Sequence, residues 1–179
     1  IISVSCLQRE KMAETMLGSC IIRSGRVTIP IKGPWNEREL ADFLQTQYFP
    51  IRLASVAADG FPRVLSLWYF YADAKLYCVS QKKSALTKIL TRNDCIGFEV
   101  SPNDPPYYGV RGQGIASLSK EGASDALAQL IDRYCGGTQS SLASWLLSRK
   151  EEERLITITT TRYYCWDYRE RMADVVGAK

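Results

Sequence analysis

The run Arg63-Val64-Leu65-Ser66-Leu67-Trp68-Tyr69-Phe70-Tyr71 constrains the fold more than any other stretch of this chain. Read with the two-residue period of a strand, Val64, Ser66, Trp68 and Phe70 take one side and Leu65, Leu67, Tyr69 and Tyr71 the other. Both sides are largely apolar. A strand with one face in water would alternate, so the second face is expected to meet the chain's own helices, a partner subunit or a flat aromatic ligand.

The neighbouring sequence supplies more strands. Residues 51–57 read as a strand, Asp59-Gly60 as a hairpin turn, Ala74-Lys75 as a second turn and residues 75–80 as a third strand. Residues 95–101 return to the strand pattern, and residues 107–119 resume it beyond the proline-containing loop 102–106. Gly109, Gly112 and Gly114 interrupt that stretch, which implies a bend or a close backbone approach. Residues 155–161 and 163–166 form a last strand pair or one long bent strand.

Helices are inserted among these strands and do not alternate with them. Asn36 and Glu39 make a capping-box pattern ahead of Leu40, Phe43 and Leu44, which predicts a helix over 36–47. Ser84 precedes Leu86, Ile89 and Leu90, all expected to face inward. Leu127, Leu130, Ile131 and Tyr134, and then Leu142, Trp145 and Leu146, keep helical spacing on either side of Gly136-Gly137. The pattern predicts a mainly β chain of the α+β class, a barrel with peripheral helices, and argues against a doubly wound sheet.

With 179 residues, 46% of them hydrophobic, the chain can bury one sizeable core. Residues 34–179 are expected to form that domain. Residues 1–33 are an N-terminal extension in which 20–23 and 27–30 flank Ser24-Gly25 like a small hairpin.

Composition removes several function classes. There is no histidine, and with it go the commonest general base, the Ser-His and Cys-His nucleophile pairs and most zinc and non-haem iron sites. No metal site is therefore expected, and chemistry would come from a bound organic cofactor. The 23 basic residues are balanced by 19 acidic ones without a basic block, which gives no reason to expect nucleic acid. No apolar run reaches membrane-spanning length, and Arg9, Glu10, Lys11 and Glu14 stand where a signal peptide needs apolar residues. A cytoplasmic protein with no membrane partner is expected. The cysteines at 6, 20, 78, 95, 135 and 165 form no C-x-x-C pair and read as buried, reduced thiols.

From about Asn36 to Tyr168 the order of motifs resembles the pyridoxamine 5'-phosphate oxidase-like, FMN-binding split-barrel family. The resemblance is carried by Asp59-Gly60-Phe61-Pro62 before an apolar strand, Val79-Ser80 closing the next, Lys82-Lys83-Ser84 at a helix start and Arg92-Asn93-Asp94 after it. Residues 110–118, with Arg111 and Gly112, and 162–168, with Trp166-Asp167, resemble later strands of the family. The resemblance implies a homodimer with FMN wedged between subunits, and oxidation or reduction of a small molecule at the flavin ring. Alternatives are a non-catalytic flavin-binding or sensing module, or a relative using a deazaflavin, haem or pyridoxal phosphate. Haem fits worst, because no histidine is present to ligate iron.

The resemblance also assigns residues. Lys82, Lys83 and Ser84 are expected at the phosphate, with Lys88 standing in for a lysine the family often carries where this chain has Leu86. Arg63 is expected to reach the phosphate or the flavin, and Val64, Leu65, Ser66 and Trp68 to line the ring, although Trp68 equally suits a core. Val79 and Ser80 fall near the phosphate or ribityl chain. Arg111 and Gln113 share a side of their strand and could act across a dimer interface, and Trp166 either stacks near the ring or closes the barrel.

Overall fold

A computed structural model describes residues 22–23, 26–27 and 29–176. The chain divides into two compact units, Ile1–Pro30 and Ile31–Lys179. In the first, β1 (Ile22–Arg23) pairs antiparallel with β2 (Arg26–Val27). Most of the expected extension, including residues 9–14, Cys6 and Cys20, lies outside the described residues.

The second unit opens with β3 (Ile31–Lys32) and then α1 (Glu37–Thr46). The Asn36 side chain accepts the backbone N–H groups of Arg38 and Glu39, while the Glu39 carboxylate accepts the N–H of Asn36 at 2.8 Å. This reciprocal cap fixes the start of a helix that buries Leu40, Phe43 and Leu44, the residues its spacing selects.

Strands β4 (Ile51–Val56), β5 (Pro62–Leu67), β6 (Phe70–Ala72), β7 (Lys75–Gln81), β8 (Cys95–Val100), β9 (Tyr108–Ser119) and β10 (Glu153–Asp167) lie in the order β5-β4-β8-β9-β10-β7-β6. Neighbours in this order run antiparallel, and β3 adds a parallel contact to the far half of β10. Between the strands lie α2 (Ala85–Leu90), α3 (Ala123–Cys135) and α4 (Ser141–Leu147), and α5 (Ala173–Val176) follows the last.

The predicted run 63–71 is two strands, not one. β5 and β6 stand on opposite edges of the sheet, and only Trp68-Tyr69 joins them. Three consecutive Cα steps span at most about 11 Å, so the edges converge at this link and the sheet is curled into a half-barrel. Beyond the link they part. β6 pairs with β7 only as far as Phe70 opposite Tyr77, so Cys78–Gln81 extend past it, and β5 pairs only with β4. A split therefore opens between two strand edges that, among the described residues, lack a strand partner on the facing side.

Register sorts the side chains by face. Inward go Ile51, Leu53, Ile96, Phe98, Val110, Ile156, Ile158 and Tyr163, all buried. Tyr69 is fully buried and donates its hydroxyl to the Leu44 carbonyl at 3.1 Å, which ties the link to the end of α1. α2 seats Leu86 and Leu90 in the core, with Thr87 buried beside them and Ile89 only half-buried. On the outer face, α3 packs over β6, β7 and β10, where Trp68, Val79, Leu146 and Leu147 surround Leu127, Ile131 and Ala143. Among the described residues no helix of this kind lies on the outer face of β4, β5, β8 and β9, and there Val56, Val64 and Ile115 are exposed, Val64 at 65%.

Two local differences from the sequence reading have simple causes. The β6–β7 turn is Asp73-Ala74, one residue earlier than expected, because Ala72 and Lys75 already pair and both turn residues have positive φ, at 49° and 58°. Alanine is strained there, so Ala74→Gly is expected to raise stability by about 0.5–1 kcal/mol, read as a higher thermal midpoint. Cys95 is exposed because it opens β8 on the outer face, whereas Cys78 and Cys165 are buried. Of the two readings of the last strand region, the single long strand is the one observed, with its register slipping between Thr160 and Arg162.

Candidate functional site

The split gathers part of the expected set. At its β7 side, Ser80 Oγ lies 2.8 Å from Ser84 Oγ, and Ser84 continues the chain of hydroxyls to Thr87 Oγ1 at 3.0 Å. Ser84 also caps α2 by accepting the Thr87 N–H at 3.0 Å. The turn between them is pinned by Ser84 N–H to the Gln81 carbonyl and Lys82 N–H to the Glu152 carbonyl at 2.7 Å. Lys82, Lys83 and Lys88 are exposed around it. Leu86, by contrast, is sealed in the core, so the cations at this end come from the flanking lysines.

At the β5 side, Val64 and Ser66 are exposed and Leu65 is half-buried, so this edge presents open backbone with mixed side chains. Arg63 is already engaged. Asp59 accepts the Phe61 N–H at 3.0 Å and pairs with the Arg63 guanidinium at 2.7 Å across the hairpin turn. The Phe61 N–H first, and Arg63 as well, hold the Asp59 carboxyl below its usual range.

Other expected residues lie elsewhere. Trp68 stacks flat on Tyr134, 5.1 Å between ring centres, and Val79 packs under α3 and α4 beside it. Arg111 and Gln113 are both exposed on the outer face, where Arg111 sits over the Tyr164 ring at 5.7 Å. Trp166 pairs in register with Gly109 near the far end of β10. From Arg154, the partner of Ser80, twelve strand steps at about 3.3 Å separate Trp166 from the serine cluster along the strand. Within one chain it does not join that cluster.

Away from the split, a hollow of about 520 Å³ lies between α1 and the end of β10 and contains none of the expected residues. Trp35, Phe43 and Tyr108 supply its aromatic lining, with Asp42, Asp167 and Arg169 among its polar lining residues. Asp167 accepts the Trp35 indole N–H at 3.1 Å and is clasped by Arg169, whose guanidinium lies over Tyr108 at 4.7 Å. The Arg169 hydrogen bonds are the main reason the Asp167 carboxyl is held down to about 2. A folded value below the unfolded one of about 3.9 gives stability that is present above pH 4 and lost as pH falls towards 2. The stability advantage of the native chain over Asp167→Asn is therefore expected to shrink between pH 4 and pH 2 in denaturant titrations.

Sequence reasoning missed Arg154, which register places opposite Ser80. It also missed Arg133, which sits among Tyr48, Tyr69 and Tyr134. Neither stands in a local motif.

No protein-family model matches the chain, and no curated protein matches it by sequence. Solved structures do match in shape. A conserved hypothetical protein from Mycobacterium tuberculosis aligns over 77% of this chain and 88% of its own, with a TM-score of 0.66 and 22% identity. The chain has the split β-barrel fold. An F420 reductase aligns over 68% of this chain and 94% of its own, with a TM-score of 0.59 and 20% identity. A candidate pyridoxamine 5'-phosphate oxidase from Listeria innocua aligns over 66% and 89%, with a TM-score of 0.51 and 20% identity. The family resemblance read from the motif order and the likeness in shape agree on this fold.

Among the described residues no helix is long and apolar enough to cross a membrane.

Proposed function

We propose that this chain binds FMN in the split between β5 and β7 and, as a homodimer, uses it to oxidise or reduce a small molecule. One observation carries the reading: two strand edges that have no facing partner among the described residues flank a gap whose end holds paired serine hydroxyls among exposed lysines. The donor set suits the ligand. Ammonium groups, and a Ser80 hydroxyl turned from Ser84 towards the ligand, satisfy a phosphate dianion, while open backbone N–H and C=O groups match the polar edge of a flat ring.

In this reading Ser80, Ser84, Lys82 and Lys83 hold the phosphate, with Lys88 one helical turn away. The β5 edge from Val64 to Ser66 orients the ring, and Leu65 limits water beside it. Bound FMN supplies the electron-accepting chemistry that side chains lack. With no histidine in the sequence, protons near the ring would be carried by tyrosine, arginine or water.

The homodimer is supported by the outer face, which no helix among the described residues covers. Val64 lies beside Ala54 and Gly97 in register, Cys95 beside Ile115, and Val56 opens the same side. A patch this apolar on an exposed sheet face suits a second copy of the chain, which would bring its own outer-face residues, Arg111 and Gln113 included, towards the slot.

A deazaflavin is the second reading, favoured by the F420 reductase among the similar structures. The test is to add FMN or a deazaflavin to purified protein and measure absorbance and molar mass after size separation. Retention of about one FMN per chain on a dimer supports the proposal, and retention of the deazaflavin alone moves it to the second reading. A monomer that retains neither overturns both. Reduction of the bound flavin by NADH or NADPH, followed by turnover with an oxidant, separates an oxidoreductase from a module that only binds.

A further inference from the structure

We infer that Arg154 is the phosphate-orienting residue of the slot, gripping the phosphate of the bound nucleotide from the strand opposite Ser80. The inference rests on the FMN reading above and adds a residue to it.

Arg154 is the antiparallel register partner of Ser80, and directly opposed residues project to the same side of a sheet. Ser80 is in turn joined to Ser84 by a 2.8 Å hydroxyl contact, so the guanidinium's strand position adjoins the serine pair. Lys82 and Lys83 are exposed on the turn. Arg154 is half-buried and anchored, with Nη1 donating to the Glu153 carbonyl at 2.7 Å.

Its charge is also not spent. Among the described residues it makes no salt bridge, although Glu121 on the neighbouring turn lies within its field. A guanidinium with one anchored nitrogen keeps further N–H groups for a planar, two-point grip on phosphate oxygens, a geometry that an ammonium cannot reproduce. The lysines then raise local positive charge, and Arg154 sets where the phosphate stops.

The experiment compares FMN with riboflavin, which differ only by the phosphate, on the native chain, Arg154→Met and Arg154→Lys, each checked for an unchanged circular dichroism spectrum. Arg154→Met is expected to weaken FMN about tenfold or more while leaving riboflavin affinity unchanged, because a hydrogen-bonded charge is lost at the phosphate alone. Arg154→Lys should recover only part of that loss. Unchanged FMN affinity in Arg154→Met, or equal losses for FMN and riboflavin, would overturn the assignment while the slot reading stood. A native chain that binds neither flavin would remove the slot, and this assignment with it.

Discussion

Arg133→Met is expected to lower stability by about 3 kcal/mol, which for a chain of this size is roughly 6–12 °C in the thermal midpoint. Arg133 projects from α3 onto the open end of α1. It donates to the carbonyls of Gln45, at 2.6 Å, of Leu44 and of Gln47, groups that a helix C-terminus leaves without internal partners. Its guanidinium lies 4.8 Å from the centre of the Tyr48 ring and 5.5 Å from that of Tyr69. Methionine keeps the apolar stem and removes all the donors, leaving the Gln47 carbonyl half-buried without its partner and the Gln45 carbonyl to water, while Tyr69 still serves Leu44. Arg133→Lys should fall between, since one ammonium cannot span three acceptors. The loss also bears on the split, because Tyr69 belongs to the link that brings the two sheet edges together. A midpoint shift below about 2 °C in Arg133→Met would show that water replaces the guanidinium at little cost.

Gly112→Val should be at least as damaging, by about 3 kcal/mol or more. Gly112 faces inward on β9, opposite Phe98 on one side and Tyr163 on the other. A Cβ at this position would lie 2.4 Å from Phe98 Cζ and 2.9 Å from the Arg162 carbonyl oxygen. Phe98 also meets Tyr163 edge-on at 6.0 Å, so the ring cannot retreat without disturbing a fully buried neighbour. The barrel would have to open at its centre. Urea unfolding measures the effect, and a midpoint within error of the native chain would mean that Phe98 has room the packing does not show.

These two sites also show what a sequence conveys. The capping box at Asn36, the inward spacing of Leu40, Phe43 and Leu44, and the interrupting glycines of β9 are all local patterns, and the structure uses each as its spacing implies. The two-faced run 63–71 was legible as unusual. Its division at Trp68-Tyr69 was not, because nothing in the run marks where the chain leaves one sheet edge for the other. Arg154 pairs in register with Ser80 and Arg133 binds the Leu44 carbonyl, each more than seventy positions away, and such pairings depend on sheet register and helix docking. Trp68 suits a ring-lining wall and a packed core equally well by type, and only the position of Tyr134 shows where its ring rests.

Amide hydrogen exchange, followed with and without FMN, tests the slot most directly. Protection confined to Val64–Ser66 and Cys78–Ser84 is the predicted result, since both edges and the serine turn would then be covered together. FMN binding that leaves both segments exchanging at their original rates would contradict it.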